Sequence, residues 1–121
     1  MDNNYNAVKF DYIDEISEGD EKFKIELINI FLKQIPEFIN NMNKYLEENN
    51  TEELAKEAHT AKSSAMIFMM EETGKTLKQI QLHATENDKS NLPSLIKKAA
   101  ISLTTASEEL AVYLKENKSE E

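Results

Sequence analysis

Leu54, Ala58, Ala61, Ala65 and Phe68 follow one another at alternating intervals of four and three residues. At about 100° per residue they fall on a stripe roughly 80° wide, the narrow apolar face of a helix packed in a bundle. A helix with so thin an apolar face has little to bury alone, and its small side chains admit close neighbours. The rest of the chain must therefore supply helices to pack against it.

It does so on both sides. From Glu21 the apolar positions Phe23, Leu27, Ile30, Phe31, Phe38, Met42, Tyr45 and Leu46 recur at helical spacing as far as the polar "EENN". Pro36 interrupts that run by removing a backbone donor, which predicts a kinked helix or two helices in near-continuous line. Thr51 is a plausible cap for the alanine-striped helix. Met70, Thr73, Leu77, Ile80 and Ala84 form a further stripe, closed by the turn-like "ENDKSN". The last helix takes Asn91 or Ser90 as cap and Pro93 in its first turn, with a stripe through Leu92, Ile96, Ala99, Leu103, Ala106, Leu110 and Tyr113. Before all of these, "MDNNYNAV" reads as a loose start, and Phe10, Ile13 and Ile16 share the face of a short helix of one or two turns. "SEGD" then stops that helix and offers Asp20 as the next cap. The polar "KENKSEE" at the end is expected to fray. No strand-like alternation or internal repeat competes, so the expected fold is all-α: an antiparallel four-helix bundle with an additional short N-terminal helix.

Composition narrows what such a bundle does. At 121 residues the chain suits one domain, 1–121, with a core over about 8–115. It has no cysteine, which removes disulfides and thiolate metal sites. No basic-then-apolar leader opens it and no apolar run nears the roughly 20 residues that cross a bilayer, so a cytoplasmic protein is expected, away from membranes. Net charge is −9, and all 14 cationic side chains are lysine. Such a surface repels phosphate backbones and lacks the planar guanidinium fork, which argues against nucleic acid as a partner. The acidity serves solubility or steers toward a basic partner surface. Lysine- and asparagine-rich, arginine-free usage points to an AT-rich bacterial genome.

His59 is one of two histidines. With Leu54 as the zero of the helical wheel, Lys62 falls near 80°, Ala55 near 100°, Met66 near 120°, His59 near 140° and Ser63 near 180°. The imidazole thus stands on the solvent side of the core edge, with small residues one turn before and after it and an ammonium one turn on. Those features suit a neutral ring nitrogen attacking a phosphoryl group, with lysine to offset the arriving charge. A plain surface histidine beside a solvated lysine is the competing reading. Nothing near Ser63 or Ser64 completes an acyl-transfer triad. A carboxylate-bridged metal pair needs glutamate three residues before each inward histidine, and positions 56 and 80 hold lysine and isoleucine.

"AHTAKSSA" resembles the signature of the histidine-containing phosphotransfer (Hpt) domain: histidine, two residues, lysine, a small residue, then a serine or alanine pair. The preceding "GDEKFKIELINIFLKQIPEFINNMNKYLEENNTEELAKEAH" is similar to the family's acidic start, phenylalanine, mid-helix proline and polar turn, and the likeness spans about residues 8–115. The resemblance implies that His59 is the phosphoacceptor and that Lys62 interacts with its phosphoryl group. It also implies a partner-binding surface including Ala55, Ser63 and Met66. Gln81, on the fourth helix, reads first as a solvated glutamine; related domains can place a polar side chain there near the phosphohistidine. Ser63 stands where the family most often has glycine. Met69 stands where it usually has a second glycine, which puts the end of the third helix and its turn in question, and Gly74 comes five residues too late to replace it. His83 has no comparable setting and reads as a helix-surface residue.

The function implied is that of a relay intermediate. It would accept a phosphoryl group from a receiver-domain phosphoaspartate and pass it to another receiver, in response regulators or hybrid histidine kinases. It would have no kinase activity and no cofactor of its own, with Mg²⁺ held by the receiver. The alternative is a helical adaptor that binds a receiver or other signalling partner without being phosphorylated.

Overall fold

The computed structural model describes residues 6–118. Within them run five helices and no strand: α1 (Asp11–Ser17), α2 (Glu21–Glu47), α3 (Thr51–Ile67), α4 (Glu71–Thr85) and α5 (Leu92–Lys118). Helices α2 to α5 pack in a ring, each on the next and α5 back on α2, and α1 lies on α2. The short connections at 48–50, 68–70 and 86–91 make consecutive helices antiparallel. Of the loose start and frayed end expected from sequence, residues 1–5 and 119–121 lie outside the described residues, while 115–118 continue α5.

The stripes of α3, α4 and α5 fall inward as their spacing predicts. Leu54, Ala58, Ala61 and Ala65 are completely buried, and Phe68 beyond them stacks on Phe31 of α2 with ring centroids 4.7 Å apart. The first half of α2 turns differently. Lys24, Ile28, Phe31 and Ile35 face the core, whereas Phe23 and Ile30 are exposed and Leu27 is only half-buried. Apolar residues also occupy positions 25, 28, 32 and 35, so more than one face of this segment has helical spacing, and the neighbours choose. In α1, Ile13 and Ser17 point inward and Ile16 outward. Pro36 sits on the exposed side of one unbroken α2. Asp20 caps α2 by accepting from the Phe23 N–H at 3.1 Å. The α3 cap is Asn50, accepting from the Glu53 N–H at 3.3 Å, one residue before the expected Thr51.

Helices α2, α3 and α4 end alike. In each, a residue in the left-handed region follows the cap: Asn49 (φ 56°), Met69 (φ 58°) and Asn87 (φ 58°). At α3 the Met70 N–H donates to the Ala65 carbonyl at 3.2 Å and the Met69 N–H to the Met66 carbonyl at 3.0 Å, and the same pair of bonds recurs at the other two ends. The turn in question at Met69 therefore closes in the conformation a glycine would adopt. Asparagine tolerates that conformation through its short amide; methionine has no such help.

Two long-range ties set the N-terminal segment. The Glu109 carboxylate of α5 accepts from the N–H groups of Asn6, Ala7 and Val8 at 3.0–3.2 Å, and the Lys9 N–H donates to the Phe68 carbonyl at 3.0 Å. Buried Lys24 reaches Asp14 at 2.7 Å and lies 4.8 Å from the centroids of Phe10 and Tyr113, joining α1, α2 and α5. Burial works to lower the Lys24 pKa, but hydrogen bonds to Asp14 and Tyr113 and their charges outweigh it, and the ammonium holds its proton above the ordinary 10.5. Burial also raises the Tyr113 phenol above its ordinary 10.0, against the pull of Lys24. Both groups bind protons more tightly folded than unfolded, so their contribution is present below those ordinary values and is lost as pH rises through the raised ones. Urea unfolding is expected to show stability falling between pH 9 and pH 12, with a smaller fall in a Lys24→Met/Tyr113→Phe double variant; an equal fall in both proteins would disprove the linkage.

Candidate functional site

His59 projects from the middle of α3, exposed, on the flank opposite the alanine stripe. Its neighbours one turn away, Ala55 and Ser63, leave the ring uncovered. The Ser63 hydroxyl donates to the His59 carbonyl at 3.3 Å, so it is spent on the helix backbone rather than standing over the imidazole. Thr60 does the same toward the Lys56 carbonyl at 3.1 Å. The result is a shallow cavity of about 480 Å³ lined by Ala55, Lys56, His59, Thr60 and Gln81.

Gln81 comes from the facing helix α4 and is half-buried. Its Oε1 is buried with no hydrogen-bond partner, an omission that costs about 1–3 kcal/mol unless a water or a bound group meets it. Gln81 thus lines the same cavity as His59, with its Oε1 shielded rather than solvated. Lys56, which lines the same cavity, pairs with Glu53 at 3.5 Å.

One turn beyond His59, Lys62 lies half-buried in a second depression of about 590 Å³ with Met66, Gly74, Lys75 and Lys78. Among the described residues Lys62 has no ion-pair partner. What gives this lysine its bed is Gly74, buried on α4. A Cβ there would stand 2.7 Å from the Met66 Sδ and 4.0 Å from the Lys62 Cγ. The missing side chain lets the two helices close up beneath the lysine stem. In the sequence Gly74 stands out only as a glycine five residues too late for position 69; its place beside Thr73 and Leu77 on the α4 stripe is the signal that marks it. A third groove, about 360 Å³, brings Tyr12 of α1 against Ser63, Met66 and Met69. Ala55, His59 and Gln81 thus share one cavity, Lys62 and Met66 the next, and Ser63 and Met66 the third.

His83 is engaged elsewhere. Its Nδ1 lies 3.2 Å from the Asp88 carboxylate, in the connection to α5. Hydrogen bonds from Ser90, then that from His83, hold the Asp88 carboxyl below the ordinary carboxylate range. Among the described residues no group of three or more His, Asp or Glu side chains is placed to hold a metal ion, and no helix is long and apolar enough to cross a membrane.

Comparison with known proteins places the chain in a family. The family model of the Hpt domain matches residues 26–114. The chain is also similar to the phosphorelay intermediate protein YPD1 of Candida albicans, with 31% identity over 72 residues, 60% of this chain and 39% of that protein. It therefore spans about two fifths of the length of that relative. The relative is a yeast protein, so the bacterial source inferred from residue usage finds no support in it. No solved structure matches.

Gly74 supplies a direct check on the packing beneath Lys62. Gly74→Ala is expected to melt within a few degrees of wild type, because a helical glycine costs about 1 kcal/mol and the Met66 thioether is flexible enough to yield. Gly74→Leu is expected to lose about 1–3 kcal/mol by overpacking. Equal melting temperatures for wild type and the leucine variant would contradict the close approach.

Proposed function

We propose that this chain, which belongs to the Hpt domain family, carries a phosphoryl group on His59 as the intermediate of a phosphorelay. The observation that supports this most directly is the setting of His59: an exposed, uncrowded imidazole in mid-helix with an unpaired lysine one turn on, inside the segment that matches the family.

The unprotonated ring nitrogen attacks the phosphorus of a receiver's aspartyl phosphate. An N–P bond forms as the P–O bond to the aspartate breaks, and the carboxylate departs with the electron pair. The proton on the other ring nitrogen remains as the ring becomes a phospho-imidazolium, then exchanges with water. Attack by a second receiver's aspartate reverses these steps. Lys62 places positive charge beside the phosphoryl oxygens, and the Gln81 amide stands at the cavity that His59 lines. Ala55, Ser63 and Met66 form the floor on which the receiver seats. Mg²⁺ belongs to the receiver's acidic pocket, and the chain acts in the cytoplasm without kinase activity of its own.

The adaptor reading drew its weight from Ser63 and Met69. The serine hydroxyl lies against the backbone and the turn at Met69 closes as a glycine turn does, so neither residue favours it.

Transfer from a phosphorylated receiver, timed by quenched-flow, tests the proposal. Lys62→Ala is expected to slow transfer at least about tenfold, equivalent to ~1.4 kcal/mol of barrier. Ser63→Trp is expected to block it while circular dichroism stays unchanged. Wild-type rates in the tryptophan variant would refute the docking geometry, and wild-type rates in the alanine variant would refute the role of Lys62.

A further inference from the structure

Among the described residues that line the cavity of His59, the one lysine is Lys56; Lys62 lines the next depression along α3. Long side chains on a helix lean toward its N-terminus, so the imidazole lies over the turn that carries Ala55 and Lys56. Lys56 stands one turn before His59, about 4.5 Å along the axis and about 60° around it, a spacing that sets Cβ atoms about 5–6 Å apart. Lys62 stands one turn after and leans back toward the ring. The two lysines bracket the histidine on one helix.

Lys56 already has a partner, but a loose one. Its ammonium lies 3.5 Å from the Glu53 carboxylate, and the two side chains are 66% and 45% exposed. A charge-assisted hydrogen bond would be about 2.7–2.9 Å long, and an exposed pair within a helix holds weakly. A phosphoryl group on His59 brings nearly two negative charges to the cavity that Lys56 lines, against one on Glu53. The stronger charge wins the flexible lysine. We propose that Lys56 is a second cation for the phosphoryl group on His59, released from Glu53 when the group arrives and returned to it when the group leaves. Lys62 then holds the group from the C-terminal side and Lys56 from the N-terminal side. Glu53 competes for Lys56, and so tunes how the phosphoryl group divides between His59 and a receiver. The inference rests on the reading of His59 as phosphoacceptor.

Phosphoramidate tests this without a receiver: the N–P bond to the ring forms as the bond from phosphorus to the departing ammonia breaks. In the full chain with His83→Gln, so that one histidine reacts, phosphorus NMR follows the last ionisation of the phosphoryl group with pH. A cation beside the group lowers that pKa. Lys56→Gln is expected to raise it by about 0.5, roughly threefold in proton affinity, and Lys56→Arg to leave it unchanged. Lys75→Gln removes the same charge from the exposed Lys75–Glu72 pair and is expected to move it by less than about 0.1. Glu53→Gln is expected to lower it by about 0.3, an effect that disappears when Lys56→Gln is also present. No change in Lys56→Gln, or a change equal to that in Lys75→Gln, overturns this inference alone. A phosphohistidine that exchanges its phosphoryl group with no receiver brings down the relay reading, and the role of Lys56 with it.

Discussion

The close packing of α3 on its neighbours is the constraint from which the remainder follows. Ala58, Ala61 and Ala65 let α3 lie deep between α2 and α4, and Gly74 lets α4 close against it where Lys62 and Met66 lie. Because a stripe only about 80° wide suffices to bury α3, most of its circumference is free to carry chemistry. His59 stands exposed on that free flank in the middle of a helix, and no loop has to order itself to present it. Charges of both signs line the α3–α4 side: Lys56 pairs with Glu53 and Lys75 with Glu72, while Lys62 and Lys78 share a depression with Glu71.

Features whose cause is local were legible in the sequence. The stripes of α3, α4 and α5, the Asp20 cap and the outward flank of His59 each depend on spacing within one helix, and the structure agrees with them. The first half of α2 was not legible, because its surplus of apolar residues allows several faces and tertiary neighbours select the one through Ile28 and Phe31. The cap of α3 moved from Thr51 to Asn50 for a smaller reason: adjacent residues with competent oxygens differ only in which one adopts the non-helical backbone.

What spacing does not encode at all is the meeting of residues far apart in the chain. The Glu109 carboxylate gathers the N–H groups of residues 6–8 from about a hundred residues away, and that tie brings α1 and Tyr12 to the edge of the site. Gly74 acts by a side chain it lacks, toward a partner on another helix. Met69 shows a third limit. Its type left the end of α3 in question, and the bonds from the N–H groups of Met69 and Met70 back to Met66 and Ala65 end α3 there, with a residue that the left-handed backbone disfavours. At each of these points an interaction between elements prevails over the preference of a single residue.

The most direct test is the intact mass of the purified chain after incubation with phosphorylated receiver domains and Mg²⁺, run beside His59→Gln and His83→Gln variants. The account predicts one acid-labile phosphate on the wild type and on His83→Gln, and none on His59→Gln. A phosphate retained by His59→Gln, or binding to a phosphorylated receiver with no mass gain in any of the three proteins, would contradict it.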